Sequence, residues 1–305
     1  MHAGFQNIEI RDEELELSFP LKIFYPSKAK SQIQQFGPYQ MEICVGGEIA
    51  GENLPLVIIS HGSGGAGLVY RDLAMHLAKA GFVVALPQHP FNNRFDNSWE
   101  GDIRNLIHRP RHIKMTADTL YAKDDLRDKL KEDSIALIGH SMGGYTALAV
   151  AGGKPNTGHM IEFCKQPENI QSPMAQSILK HDPVAQDISV EKDDRVKAVV
   201  LMAAASIEFK SSSALEEVDA QVLMYTPTLD ESAVKQAEIV ETNLKKELLT
   251  HKVIEKGDHY SFLSPFPERI RPHVGPAGRD APGFDRSAFH AKMHAELEAF
   301  FKEHL

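Results

Sequence analysis

A serine flanked by glycines lies where a short apolar run meets an alanine- and leucine-rich run. Ile135–Ile138 has the length and composition of a buried strand, and the residues that follow Gly143 are typical of a buried helix. Such a strand-to-helix turn strains the serine backbone and exposes its hydroxyl, while Gly139 and Gly143 let strand and helix approach closely. We therefore predict that Ser141 is a nucleophile. The alternative is a glycine-rich junction whose serine only caps the helix.

A serine nucleophile needs a base that accepts its proton and an acidic residue that orients the base. Along the chain, such a turn is followed first by the acid and then by the histidine. Asp230 comes after the predicted strand Gln221–Tyr225, and His259 comes after the predicted strand His251–Glu255. Both residues leave the carboxyl ends of parallel strands, the edge where Ser141 also lies. We predict His259 as general base and then general acid, with Asp230 as its orienting partner.

Other carboxylates compete with Asp230 for the orienting role. Glu231 is its neighbour in the chain, and Glu208 follows the preceding predicted strand. Asp258 is adjacent to His259, and adjacent side chains rarely form the orienting hydrogen bond. Glu208 and Glu231 therefore stay open as alternatives.

Several of the 15 histidines are candidates for other roles. His61 and His140 belong at the same edge of the sheet, but each stands beside a motif and is expected to brace a loop. Two pairs of histidines have the four-residue helical spacing that can share a zinc ion, but neither pair is H-E-x-x-H and no third ligand is evident nearby. We therefore predict no metal site. The pairs are His108 with His112 and His290 with His294.

The oxyanion of a tetrahedral intermediate needs two backbone N–H donors. The residue after the nucleophile, Met142, is expected to supply one of them. The other is expected from the glycine-dense turn after the predicted strand Leu56–Ser60, where the sequence reads His-Gly-Ser-Gly-Gly. We predict the amide of Ser63 as this donor, with that of Gly64 as the alternative. Without a nucleophile at its expected place, this segment would be a tight turn leading into a helix.

Strands alternate with helices from Leu54 onward, which predicts an α/β fold with a mostly parallel central sheet and helices on both faces. We expect a single domain over residues 1–305, with a lid or cap insertion at about 152–194 that carries short helices. A second long loop, residues 88–108, also interrupts the alternation, and loops of this length are usually functional. The predicted elements are a hairpin within 7–26, strands at 41–45, 56–60, 82–86, 135–138, 196–203, 221–225 and 251–255, and helices within 70–80, 109–130, 231–248 and 287–305.

Composition narrows the class of protein. The formal net charge of −9 disfavours nucleic acid as a partner, since phosphate binding needs a concentrated basic face. The longest apolar run, Ala198–Ala205, is far too short to span a membrane. Two cysteines, Cys44 and Cys164, and the lack of a secretion signal in Met1–Ile10 favour a cytoplasmic location. No P-loop motif occurs, and no nucleotide cofactor is expected. The oligomeric state stays open.

Five segments of the chain resemble the α/β-hydrolase superfamily. Within it, the sequence resembles the group of predicted dienelactone hydrolases, which shades into platelet-activating-factor acetylhydrolase-like serine esterases. The resemblance covers nearly the whole chain and implies a triad of Ser141, Asp230 and His259, no cofactor, and an ester or related acyl substrate. The segments are ISHGSGG (59–65), ALPQHPFNN (85–93), Arg109-Pro110 opening a helix, GHSMGG (139–144) and GDHYSFLSP (257–265).

The sequence departs from this group at three points. Dienelactone hydrolase itself uses a cysteine nucleophile, whereas this chain has Ser141. Similar sequences place an acidic residue soon after the Arg-Pro pair, where this chain has Arg111 and His112. Relatives often carry paired cysteines in the lid, and here only Cys164 lies there. For these reasons the substrate of the group is not transferred to this chain.

The function that we expect is a cofactor-independent serine hydrolase that cleaves a carboxylic ester of a small molecule through an acyl-enzyme on Ser141. Cleavage of an amide, lactone or peptide and acyl transfer to an alcohol are alternatives that use the same triad, and a non-catalytic binding protein is a further one. An apolar pocket would favour an apolar acyl or aromatic substrate, although its candidate residues are equally suited to core or lid packing. The pocket candidates are Gly64, Phe91, Trp99 and Tyr260, with Phe95, Met142, Met160, Ile161, Phe163 and Phe262 as further apolar residues.

Overall fold

Ten strands form a continuous sheet in the computed structural model, which describes all 305 residues. Seven helices accompany the sheet. The strands are β1 (His2–Asp12), β2 (Leu17–Ser27), β3 (Gln32–Phe36), β4 (Tyr39–Val45), β5 (Leu54–Ser60), β6 (Val83–Pro87), β7 (Leu130–His140), β8 (Val196–Met202), β9 (Gln221–Pro227) and β10 (Leu249–Ile254). The helices are α1 (Arg71–Lys79), α2 (Arg104–Ala122), α3 (Met142–Val150), α4 (Thr157–Lys165), α5 (Pro173–Leu179), α6 (Glu231–Asn243) and α7 (Arg286–His304).

The sheet order is β10-β9-β8-β7-β5-β6-β2-β1-β4-β3. The six strands from β10 to β6 are mutually parallel, while β2 pairs antiparallel with both β6 and β1. The predicted mostly parallel sheet is therefore confirmed. After β5 the chain adds β6 on one side and β7 on the other, so the strand order reverses at β5. Ligands of open α/β sheets bind at such a switch point, outside the carboxyl ends of the strands.

Alternate residues of the central strands face two separate apolar layers. In β5, Leu56 and Ile58 belong to the layer that includes α2, α3 and α6, whereas Val57 and Ile59 belong to the layer that includes α1 and α7. Burial on both faces explains why the central strands are continuous apolar runs in the sequence. None of the seven helices has the length and apolar character needed to cross a lipid bilayer.

Helix α2 differs from its prediction. It begins at Arg104, so the expectation that Arg109-Pro110 opens a helix is wrong, and Pro110 lies inside the helix. A proline there has no N–H to donate to the carbonyl four residues earlier, which belongs to Leu106. That carbonyl instead accepts the Tyr145 hydroxyl at 2.9 Å. A side chain from α3 thus satisfies the acceptor and lets the helix continue through the proline.

One strand was missing from the prediction, and the end of one helix was placed too late in the chain. Strand β3 was not predicted, because its sequence, QIQQF, is polar and lies at the exposed edge of the sheet. Helix α6 was predicted to reach Leu248 but ends at Asn243, since Leu244 adopts an extended conformation and buries its side chain in the core.

The insertion at residues 152–194 contains α4 and α5. Its buried side chains, including Met160 and Cys164, join the same apolar layer as α3. The insertion also contacts the loop before α2, because the Ser177 hydroxyl and the His181 ring both bond to the carbonyl of Glu100, at 3.1 and 2.9 Å. The two long irregular segments therefore support each other. A lid function for the insertion stays a prediction.

The contact between Tyr145 and Leu106 can be tested through stability. Tyr145→Phe should lower the free energy of unfolding by about 1–3 kcal/mol, because it leaves a buried carbonyl without a donor. Adding Pro110→Ala restores a backbone N–H near that carbonyl, so the second change should recover much of the loss. Urea denaturation of the single and double variants measures the coupling.

Tyr121→Phe is the matched control, since the Tyr121 hydroxyl bonds to the Lys131 carbonyl at an exposed position. Its effect should stay below about 0.5 kcal/mol. Independent, additive effects of Tyr145→Phe and Pro110→Ala would show that the hydroxyl does not replace the missing N–H.

Candidate active site

Ser141 stands alone between β7 and α3 with φ 55° and ψ −122°. A positive φ is unfavourable for a residue with a side chain, and such strained conformations cost of order 1–3 kcal/mol. Three backbone hydrogen bonds hold it: the Ser141 N–H donates to Met202, and its carbonyl accepts from Gly144 and Ala205 at 2.8 and 2.9 Å. The Ser141 hydroxyl makes no hydrogen bond, so it is available to a ligand.

Two glycines allow the helix to begin this close to the sheet. A methyl group on Gly143 would overlap the carbonyl of Ser60, at the end of β5. A methyl group on Gly139 would overlap the carbonyl of Gly143. The predicted reason for both glycines, close approach of strand and helix, is confirmed.

The structure brings His259 and Asp230 together. The His259 Nδ1 atom lies 2.5 Å from Asp230 Oδ2, and the other carboxylate oxygen accepts the N–H of Ala233 as the N-cap of α6. Burial acts to raise the pKa of Asp230, but the hydrogen bond and charge of His259 and the Ala233 N–H outweigh it and lower the pKa. Asp230 therefore remains an anion that orients the ring of His259.

The competing carboxylates lie elsewhere. Glu231 is exposed, and Asp258 accepts the Tyr260 N–H and the Ser261 hydroxyl. Glu208 is 3 % exposed, and its Oε2 atom has no hydrogen-bond partner. Burial raises the pKa of Glu208 to about 7. None of the three makes a hydrogen bond to His259.

His140 connects the turn of Ser141 to the loop that carries His259. Its Nε2–H donates to the carbonyl of His259 at 2.7 Å, so its Nδ1 accepts the Tyr70 hydroxyl at 2.9 Å. Burial lowers the pKa of His140 to about 3, so the ring is neutral at pH 7. His140 thus braces the loop that carries His259.

The glycine-dense turn after β5 packs directly on Ser141. A Cβ atom on Gly62 would lie 3.2 Å from the Cβ atom of Ser141. The Ser63 N–H makes no backbone hydrogen bond, and the Met142 N–H is in the first turn of α3, where amides have no partner within the helix. Both predicted oxyanion donors are therefore free in this structure, and their role stays a prediction.

The predicted pocket residues lie in two groups. Tyr260 is half-buried, with its ring 5.2 Å from that of His259. The rings of Phe91 and Trp99 pack against each other, with centroids 4.4 Å apart, in the loop before α2, where Trp99 is buried under the Arg104 guanidinium. Gly64, in the glycine-dense turn, has a φ of +63° and lies beside Asn97.

Burial separates the further apolar candidates. Phe262, Met160 and Ile161 are buried, as the alternative of core or lid packing expects, and their part in a substrate pocket stays a prediction. Phe95 is 80 % exposed. A cavity of about 810 Å³ is lined by residues between Pro265 and Ser287 and by none of the predicted site residues.

The sequence suggested no role for three buried polar residues behind the glycine-dense turn, which are His89, Asn92 and Arg109. They surround His61, which was expected to brace a loop. The signal was present, because these residues lie in the segments that carry the family resemblance. The role of these residues could not be interpreted without knowing which atoms the Arg109 guanidinium contacts.

Comparison with known proteins supports the fold. Residues 55–161 match the family model described as alpha/beta hydrolase fold. With the sheet and helices described above, the chain has the α/β-hydrolase fold. Ferulic acid esterase from Streptomyces cinnamoneus superposes with a TM-score of 0.68 at 15% identity, over 100% of this chain and 89% of that chain. Dienelactone hydrolase from Anabaena variabilis superposes over 100% of both chains with a TM-score of 0.53 at 15% identity. Such low identities show a shared fold alone.

The chain also resembles curated proteins over part of its sequence. Platelet-activating factor acetylhydrolase of Canis lupus familiaris is 29% identical over 141 residues, and the match covers 32% of this chain and 32% of that protein. The Bos taurus protein of the same name is 27% identical over a match of the same extent. The match thus spans about a third of the length of these relatives. The expected resemblance to dienelactone hydrolase and platelet-activating factor acetylhydrolase is confirmed.

Burial of Glu208 predicts a pH-dependent stability difference. Because its pKa is about 7 in the folded protein and about 4.3 in an unfolded chain, the folded state holds this proton more tightly. Its contribution to stability is complete below about pH 4.3 and is lost as the pH rises to about 7. Glu208→Gln removes this dependence, so the variant should gain stability relative to wild type between pH 5 and pH 8. Thermal unfolding of both proteins at pH 5 and pH 8 measures this difference in stability. A difference that does not change with pH would show that the Glu208 carboxyl is ionised in the folded protein.

Proposed function

We propose that this chain is a cofactor-independent serine hydrolase that cleaves a carboxylic ester through an acyl-enzyme on Ser141. The observation that carries the proposal is the strained Ser141 turn, at the same sheet edge as a histidine held by an ionised Asp230. The free N–H groups of Ser63 and Met142 supply the hydrogen-bond donors that an oxyanion of the ester would need. No single feature is diagnostic, but acyl transfer uses all of them together.

In this mechanism the Nε2 atom of His259 accepts the proton of the Ser141 hydroxyl as its oxygen attacks the ester carbonyl carbon. The carbonyl oxygen becomes an anion and accepts the N–H groups of Ser63 and Met142. His259 then donates its proton to the departing alkoxide, which leaves as the alcohol. Asp230 keeps Nδ1 protonated, so that Nε2 is the basic nitrogen, and stabilises the imidazolium that forms.

Hydrolysis of the acyl-enzyme repeats these steps with water. His259 removes a proton from water as the water oxygen attacks the acyl carbon. The same two amides hold the second oxyanion. His259 returns the proton to the oxygen of Ser141, and the carboxylic acid departs. The enzyme is regenerated with no external cofactor.

Uncharged side chains close to the site favour a substrate with an apolar acyl or aromatic part. Tyr260 is half-buried against His259, Met142 is half-buried beside Ser141, and Phe91 is half-buried in the adjoining loop. Ferulic acid esterase, which has a similar fold, is named for cleavage of an ester, and platelet-activating factor acetylhydrolase, which this chain resembles in part of its sequence, is named for removal of an acetyl group. These names support an ester more than an amide.

Hydrolysis of p-nitrophenyl esters of increasing acyl length tests the proposal. Ser141→Ala and His259→Ala should each reduce kcat by roughly 10⁴-fold or more without loss of folded structure. The double variant should cost little beyond either change alone, because the residues act as a unit. The acyl-length preference of the wild type measures the size of the acyl site.

Other outcomes decide against the proposal. If wild type hydrolyses no ester but Ser141 reacts with a fluorophosphonate, amides and lactones become the substrates to test. Product analysis with an added alcohol that shows ester exchange exceeding hydrolysis would identify an acyltransferase. If folded wild type is not labelled by the fluorophosphonate, the chain is a binding protein rather than a hydrolase.

Asp230 can be tested separately from its role as a helix cap. Asparagine is as good an N-cap as aspartate, whereas alanine is not, so Asp230→Ala should cost about 1 kcal/mol of stability and Asp230→Asn much less. Both variants should reduce kcat by roughly 10²–10⁴-fold, less than Ser141→Ala does, because the charge that orients His259 is lost. Glu231→Gln, next to Asp230 and exposed, is the control. Full activity of Asp230→Asn would move the orienting role to another carboxylate.

A further inference from the structure

Arg109 is a buried arginine without a carboxylate partner. Its side chain extends from α2 behind the glycine-dense turn, and the residue is 1 % exposed. The guanidinium donates to the carbonyl of His61 and to the hydroxyls of Ser60 and Thr146, each of these hydroxyls at 3.2 Å. It also donates to Asn92 Oδ1 at 2.5 Å. All four acceptors are neutral, so the positive charge is solvated by the protein but not compensated.

The residues around the guanidinium add no negative charge. Burial is the main cause that lowers the pKa of His61 and of His112 to about 3, and it also lowers the pKa of His89 well below its ordinary value. These rings are therefore neutral at pH 7. Burial also lowers the pKa of Arg109 to about 9, which leaves it protonated at pH 7.

The carboxylate in this region serves a different arginine. Asp12, at the end of β1, lies 2.6 Å from Arg111 and 3.3 Å from His112. Two arginines on one helix thus differ in kind: Arg111 has a counter-ion, and Arg109 does not.

The acceptors of Arg109 belong to the elements that form the oxyanion site. His61 begins the glycine-dense turn, and its Nδ1–H donates to the Gly62 carbonyl at 2.8 Å while its Nε2 accepts the His89 N–H. Asn92 binds Arg109 through its oxygen and donates its amide to the Ser63 hydroxyl at 2.8 Å. Arg109 therefore reaches the predicted oxyanion donor by two routes, one through backbone and one through a side chain.

We propose that Arg109 is a positioning residue of the oxyanion site, which fixes the turn that presents the Ser63 amide and places an uncompensated positive charge behind it. Arg109 contacts no substrate; it acts through His61 and Asn92. The charge favours the anionic tetrahedral intermediate over the neutral ester, so it contributes to kcat more than to ground-state binding. This inference rests on the proposed serine-hydrolase function.

The test compares Arg109→Gln, Arg109→Lys and wild type, with Arg111→Gln as the control on the same helix. The readouts are kcat and KM for a p-nitrophenyl ester, the rate of Ser141 labelling by a fluorophosphonate, and the affinity for an alkyl boronic acid, which forms a tetrahedral adduct on the serine. The values of kcat and the labelling rates are expressed per folded molecule, and the folded fraction of each variant is checked by thermal unfolding.

Arg109→Gln should lower kcat and the labelling rate by roughly 10- to 100-fold, with a change in KM below about threefold. Boronate affinity should fall by a similar factor. Arg109→Lys should recover part of the loss, since it returns the charge without the planar set of donors. Arg111→Gln should lose stability yet keep its kcat per folded molecule.

A purely structural role gives a different result. If Arg109→Gln lowers only the folded fraction, or raises only KM, while kcat and boronate affinity per folded molecule stay within about twofold of wild type, the inference is overturned. Failure of wild type itself to hydrolyse esters or to label at Ser141 overturns the proposed function instead. If Ser141 labels without ester turnover, the labelling rates of the Arg109 variants still decide the inference.

Discussion

The start of α3 packs against the ends of β5 and β7 so closely that glycine alone fits at two positions. This packing forces Ser141 into a backbone conformation that costs of order 1–3 kcal/mol, and three backbone hydrogen bonds hold it there. Because α3 is buried along nearly its whole length, the helix cannot move away to relieve the strain. The glycine-dense turn after β5, the loop of His259 and the loop of Asn92 are arranged around this fixed point.

Polar groups occupy the interior behind the glycine-dense turn. A buried polar group without a partner is costly, so a set of them is stable only in the arrangement that satisfies each one. Here a guanidinium, an amide and neutral histidine rings share one group of hydrogen bonds that runs from α2 to the turn. The apolar layers specify the fold, whereas this polar group specifies the local shape of the turn.

The sequence predicted a mostly parallel α/β sheet because its central strands are buried on both faces and therefore appear as continuous apolar runs, and the resemblance of five segments added the α/β-hydrolase fold. It failed where the deciding contact is distant in the chain. Pro110 indicated the start of a helix, but the Tyr145 hydroxyl satisfies the carbonyl that the proline leaves free, and α2 continues through it. The polar edge strand β3 carries too little apolar pattern to be recognised.

The sequence by itself determined the central strands, the sharp turn at Ser141 and the chain order of acid and histidine, since glycine spacing and apolar runs are local features. Only the tertiary structure decided which carboxylate lies against His259: Asp230 meets it at 2.5 Å, and Glu208 is buried apart from it. It also decided that Arg109 is buried among neutral acceptors and Arg111 is paired with Asp12. The physical reason is that hydrogen-bond partners far apart in the chain are selected by packing, which residue types and spacings do not encode.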